Sequence, residues 1–169
     1  MYQYHKESPL SKEAIEEYAE RMLEHHKPKD VRDLLQKLGG KVEQHTRPLA
    51  KRFLDVDKPR KFTVWLPAAQ GEQRDLFCIA QSIGYYVLHY LHPGLEHCMH
   101  YSKPAHEKSI VQANIFALNL LAPRKRFIEL FHQFKGDADR IADELDISRK
   151  VVIHRAATLG LTRSSAVVS

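Results

Sequence analysis

The chain has 169 residues, of which 43% are hydrophobic and 28% charged, the balance of a globular protein with a sizeable core rather than of a disordered or fibrous chain. Its formal charge of +5, from 26 Lys and Arg against 21 Asp and Glu, permits contact with a polyanion but is too small to demand one. No run approaches the roughly 18 apolar residues of a membrane span. The opening residues, with Tyr4, His5, Lys6 and Glu7, lack the apolar core of a signal peptide. Two cysteines, Cys78 and Cys98, make no disulfide framework, so a cytoplasmic protein with reduced thiols is expected.

Ser8-Pro9 or Ser11 can open a first helix in which Ile15, Tyr18, Ala19, Met22 and Leu23 form one apolar face, and His25-His26-Lys27-Pro28 ends it. Asp30 caps a short second helix carrying Val31, Leu34, Leu35 and Leu38 inward, closed by Gly39-Gly40. From Lys41 the period becomes that of strands. The segments are a short one at Val42, then Phe53 to Val56, then Phe62 to Leu66, with Asp57-Lys58-Pro59 as the turn between the last two. A small three-stranded sheet is the expectation. Leu76, Ile79, Ala80, Ile83, Gly84, Val87, Leu88 and Leu91 predict the most hydrophobic helix, ended by Pro93-Gly94. A polar loop rich in histidine follows, and Ile110, Ala113, Asn114, Ala117, Leu118 and Leu121 predict another buried helix that stops at Pro123.

After Pro123 the composition shifts, with Arg124-Lys125-Arg126 leading into Phe127, Leu130, Phe131 and Phe134. Residues 137–163 then have the cadence of a helix-turn-helix whose second helix is capped by Ser148. In this reading Arg149, Lys150, His154 and Arg155 project from the second helix, with Arg163 just beyond, as groove-reading and phosphate-contacting side chains do. Asp137, Asp139, Asp143, Glu144 and Asp146 crowd the first helix and would repel a phosphate backbone. The last few residues read as frayed. The chain thus divides into a unit at residues 1–123 and a C-terminal helical subdomain at 124–169, the latter either structural or DNA-binding.

Two strings carry a family resemblance. The central helix reads Arg74-Asp75-Leu76-Phe77-Cys78-Ile79-Ala80-Gln81-Ser82-Ile83-Gly84-Tyr85-Tyr86-Val87-Leu88-His89, and the later one Gln112-Ala113-Asn114-Ile115-Phe116-Ala117-Leu118-Asn119-Leu120-Leu121-Ala122-Pro123. With the leading helix pair ending in Leu38-Gly39, they resemble the ImmA/IrrE family of zinc metallopeptidases over nearly the whole chain. The resemblance implies a zincin-like, mainly helical α+β scaffold. It also places the family's H-E-x-x-H at Gln81, Ser82 and Tyr85, and its third-ligand Glu at Gln112. In H-E-x-x-H two residues four apart share a helix face and hold zinc while the glutamate acts as general base. Glutamine, serine and tyrosine do not do that chemistry. The resemblance therefore implies a pseudoenzyme, with Gln81, Tyr85 and Gln112 able to hydrogen-bond across the former site. The C-terminal Leu159-Gly160-Leu161 also matches a helical segment that the family carries as part of its fold.

Other chemistry is thinner. His89, His92, His97 and His100, with Cys98 and His106, are nominal metal-ligand types, but they complete no recognised spacing, and a solvated histidine-rich loop is the plainer reading. Cys78 on the apolar helix reads as a small core residue. There is no Gly-rich phosphate loop, and no cofactor is implied. Three functions remain: a non-catalytic regulator that binds a protein partner such as a helix-turn-helix repressor, as in mobile-element or phage control; a DNA-binding regulator acting through the C-terminal segment; and, last, a zinc peptidase with non-standard ligands.

Overall fold

The computed structural model describes residues 7–162; Tyr4, His5, Lys6, Arg163 and the C-terminal residues expected to fray lie outside them. The Ser11 side chain accepts a hydrogen bond from the Ala14 backbone N–H at 3.1 Å and starts α1 (Lys12–His26), which ends at Lys27 in the left-handed conformation. Asp30 accepts from the Asp33 N–H at 2.8 Å and caps α2 (Val31–Lys37). These caps satisfy backbone donors that the first turn of a helix leaves unpaired. Gly39 then turns the chain at φ +93, where a Cβ would stand 1.9 Å from the Arg60 carbonyl oxygen. Only glycine fits there.

Among the described residues the sheet has four strands rather than three: β1 (Gly40–Gln44), β2 (Arg52–Lys58), β3 (Lys61–Leu66) and β4 (Met99–Ser102), in the order β1-β3-β2-β4. β1 runs parallel to β3, while β3 and β4 are antiparallel to β2. The fourth strand comes from the histidine-rich loop. Its four residues are too few, and His100 too polar, for alternation to announce it, and Asp55 opposite His100 supplies the pairing instead. Leu54, Val56, Phe62, Val64 and Leu66 are buried on one face, as period-2 alternation requires.

That face packs on α3 (Glu72–Tyr86), which continues into a π-helical turn at Val87–Leu91. α4 (Glu107–Leu121) crosses α3 and also receives α1. The crossing is close because position 84 has no side chain: a Cβ on Gly84 would lie 2.9 Å from the Ala113 carbonyl oxygen and 2.9 Å from the Phe116 Cβ. α5 (Arg124–Gln133), α6 (Ala138–Leu145) and α7 (Arg149–Thr158) follow. They gather a smaller core around Phe127, Phe131, Ile141 and Val152, and Leu121 packs against both cores. Asp137 caps α6, and Ser148 caps α7 after the turn through Asp146 at φ +54. The described residues thus form a mainly helical α+β fold of seven helices and a mixed sheet, in which no helix is long and apolar enough to cross a membrane.

Gly84→Ala should lower stability by about 1–2 kcal/mol, because the added methyl meets backbone that cannot yield, although alanine is otherwise the better helix residue by ~1 kcal/mol. The urea midpoint should fall with an unchanged m-value.

Candidate functional site on helices α3 and α4

Gln81 and Tyr85, four residues apart, share one side of α3, with Ser82 beside them. The Gln81 Nε2 donates to the Asn114 Oδ1 across the helix crossing at 2.6 Å. Ser82 is buried. Tyr85 lies in an aromatic cluster, edge-on to Phe53, Tyr101 and His89 at centroid distances of 5.2, 5.0 and 4.6 Å. Such edge contacts suit the ring quadrupoles. Burial pushes the Tyr85 hydroxyl up to about 12, and contact with the Ser109 hydroxyl offsets part of the rise. Burial also raises Tyr101.

Gln112 does not join this group. Its Oε1 accepts from the Ser8 N–H at 2.9 Å and its Nε2 donates to the Ser8 carbonyl at 2.8 Å, so both ends of the carboxamide are spent on the segment before α1. Residues two apart on a helix diverge by about 200°, and the residue that meets Gln81 is Asn114. The expectation that Gln81, Tyr85 and Gln112 hydrogen-bond across one site is corrected accordingly. In sequence Asn114 shows only as a polar gap in an apolar face; the phase of the crossing at Gly84 gives it a partner.

The histidines of the loop are dispersed. His89 is buried, with Nε2 3.1 Å from the Ser109 carbonyl oxygen. His92 stands edge-on to Tyr18. The backbone carbonyl of exposed His97 accepts from the Tyr90 hydroxyl, and the ring of His100 binds Asp55. Among the described residues no three His, Cys, Asp or Glu side chains are gathered so as to hold a metal ion. Zinc sites are built from thiolate, imidazole and carboxylate donors; the carboxamides, hydroxyl and phenol at Gln81, Gln112, Ser82 and Tyr85 are not that donor set.

Beside the Gln81–Asn114 pair runs a groove of about 630 Å³ between α3, α4 and the start of α7. Phe77, Leu118 and Val151 give it an apolar floor, and its lining carries the cations of Arg74 and Lys150 and the imidazole of His154, with no acidic residue.

A sequence profile of the IrrE N-terminal-like domain, of the M78 peptidases, matches residues 31–157. The chain belongs to this family. The matched stretch runs from α2 into α7 and so includes the helix crossing and the groove. Among solved structures, the IrrE-like chain is similar to a Mycobacterium tuberculosis transcriptional regulator, at 18% identity and a TM-score of 0.58. The alignment covers 85% of this chain and 46% of that one, so the chain spans about half the length of that relative. No curated protein matches it.

One residue expected to contact DNA lies elsewhere. Arg155 does not project from α7; it is 1% exposed. Its Nε donates to the Ala122 carbonyl at 3.1 Å and its Nη2 to the Asn119 Oδ1 at 3.0 Å. The guanidinium thus binds the C-cap carbonyl of α4, where a cation is favoured. Burial lowers its pKa. Arginine is seldom fully buried unless paired, and nothing in the basic run that holds Arg155 signals that it turns inward. Arg149 pairs with Asp139 at 3.2 Å on the surface, and Lys150 and His154 are exposed.

Arg155→Leu should cost about 2–4 kcal/mol, since it strands two buried acceptors at the end of α4; urea unfolding measures it. Tyr85 adds a pH dependence. The unfolded chain releases this proton near 10.0 and the folded chain near 12, so between those values the folded state holds the extra proton and stability falls as pH rises. The contribution is fully present below pH 10 and lost on passing 12. Tyr85→Phe should flatten that part of the stability profile in denaturant titrations between pH 10 and 12.

Proposed function

We propose that this IrrE-like protein is a non-catalytic regulator that binds a protein partner, such as a helix-turn-helix repressor, and does not cleave it. The observation that carries the reading is the chemistry of the α3 face. Where the family resemblance puts zinc ligands and a general base, the chain has Gln81, Ser82 and Tyr85. Gln81 is bonded to Asn114, and Ser82 and Tyr85 are buried. These are neutral groups turned into the protein, suited to holding two helices together rather than to activating water.

The groove beside them supplies the binding surface in this reading. An apolar floor flanked by Arg74, Lys150 and His154 and free of acidic lining is complementary to an acidic segment with apolar anchors. The solved relative is named a transcriptional regulator, which supports a regulatory role for the fold. The second reading is direct DNA binding through residues 137–163. It is favoured by one feature: Lys150, Ile153, His154 and Ala157 form an exposed row on α7, the face a recognition helix would present. Arg155 has no part in it, and Asp139, Asp143, Glu144 and Asp146 are exposed on and after α6.

Co-expression with candidate repressors should yield an intact complex and no cleavage products, with or without added zinc. Arg74→Glu combined with Lys150→Glu should weaken that complex at least tenfold, about 1.4 kcal/mol, by calorimetry. Absence of a complex, or appearance of cleaved repressor, counts against the first reading. Salt-dependent binding of duplex DNA that is lost in Lys150→Glu would transfer the role to the second.

A further inference from the structure

The solvent-facing side of the sheet carries a group of residues that plays no part in the helix crossing or the groove. β4 pairs with β2 so that His100 stands opposite Asp55, and directly opposed residues of an antiparallel pair project to the same face. The His100 Nδ1 lies 2.7 Å from the Asp55 Oδ1. Cys98, two residues earlier and so on the same side of the chain, places its Sγ 3.6 Å from the His100 Nε2. Asp55 is itself held: its Oδ2 accepts from the Trp65 Nε1 at 2.9 Å, and the Arg52 Nε is 3.4 Å from its Oδ1. Thiol, imidazole and carboxylate stand in line, and the carboxylate is fixed from two strands.

We propose that Cys98 is a reactive thiol, activated by His100 and Asp55, and a site of reversible mixed-disulfide formation with small-molecule disulfides. The imidazole takes the thiol proton at Nε2, and its Nδ1–H is held by the Asp55 carboxylate, which orients the ring and stabilises the imidazolium. The thiolate attacks one sulfur of the disulfide R–S–S–R. The new Cys98–S–S–R bond forms as the old S–S bond breaks, and the departing RS⁻ takes the proton from His100. The incoming disulfide is the oxidant, so nothing else is required. His100 has a side chain 44% exposed and Cys98 is partly exposed, which leaves the sulfur open to a small reagent. Arg52 and Asp55 of β2 are the charged groups beside His100, and Tyr90 of the π-helical turn interacts with Cys98 and with Glu96.

Cys78 is the internal control. Its sulfur accepts from the Gln70 Nε2 at 3.4 Å, a carboxamide that cannot take its proton. The experiment treats the intact chain at pH 6.0 with an aromatic disulfide that releases a coloured thiolate, and then assigns each modified cysteine by peptide mass. An ordinary thiol is about 0.3% ionised at that pH. Cys98 should react at least tenfold faster than Cys78, and tenfold faster than Cys98 in the chain unfolded by guanidinium. His100→Gln should slow Cys98 about tenfold and leave Cys78 unchanged; Asp55→Asn should slow it by a smaller factor. Equal rates for Cys98 in the folded and unfolded chain overturn the proposal, and so does a His100→Gln variant that reacts as fast as the unaltered chain. The unchanged rate at Cys78 reports that each variant is folded.

Discussion

The close crossing of α3 and α4 at Gly84 is the contact on which the rest of the structure depends. A helix interior gains nothing from glycine, which costs ~1 kcal/mol against alanine there. Here it lets the Ala113 carbonyl and the Phe116 side chain come within 2.9 Å of where a Cβ would be. At that separation the residues three before and one after Gly84 have no choice of neighbours. Gln81 meets Asn114, and Tyr85 meets Ser109. Phe116 is held against Tyr18 of α1, so the crossing also sets how the first helix lies on the core. The sheet is anchored to the same element, since Phe62 stacks on Tyr86 at 3.9 Å and the Tyr86 hydroxyl accepts from the Arg60 N–H.

From the far end of α4 a second constraint reaches the C-terminal helices. A buried guanidinium is costly unless its donors are paired, and Arg155 is paired with the carbonyl of Ala122 and the side chain of Asn119. The last turn of α4 has unpaired carbonyls of its own, so each group offsets the other's desolvation. With Leu121 shared between the two cores, this ties α7 to α4 and fixes the width of the groove between them. It also decides which face of α7 looks outward: the row through Lys150 and His154, away from the buried Arg155.

The elements are largely legible in the sequence because they obey simple periods. The caps expected at Ser11, Asp30 and Ser148 stand where a short polar side chain precedes an apolar repeat, and all three accept backbone hydrogen bonds; Asp137, read only as one acidic residue among several, caps α6 in the same way. β4 is not legible, because a four-residue edge strand takes its stability from its partner rather than from its own pattern. The boundary of the β2–β3 turn shifts for a similar reason: Pro59 and Arg60 make it, with Lys58 already in the ladder. Within the site, positions on one helix can be grouped by their four-residue spacing, as Gln81 and Tyr85 are. Residues on different helices cannot, and that is why the sequence misplaces Gln112 and hides Asn114. Arg155 is hidden too, because burial of a charge depends on acceptors 33 and 36 residues away.

The composition of the crossing bears on what the scaffold can be used for. A metal between two helices holds them through a few strong bonds and carries a charge that must be balanced. The carboxamide pair joins the helices with neutral groups: Gln81 and Asn114 bond at 2.6 Å and need no counter-charge. Around them Tyr85, Phe53 and Tyr101 fill the space with ring contacts. The α3–α4 interface therefore stands on packing and hydrogen bonds supplied by its own residues. Charge is left to the neighbouring groove, where Arg74 and Lys150 stand without acidic partners in the lining.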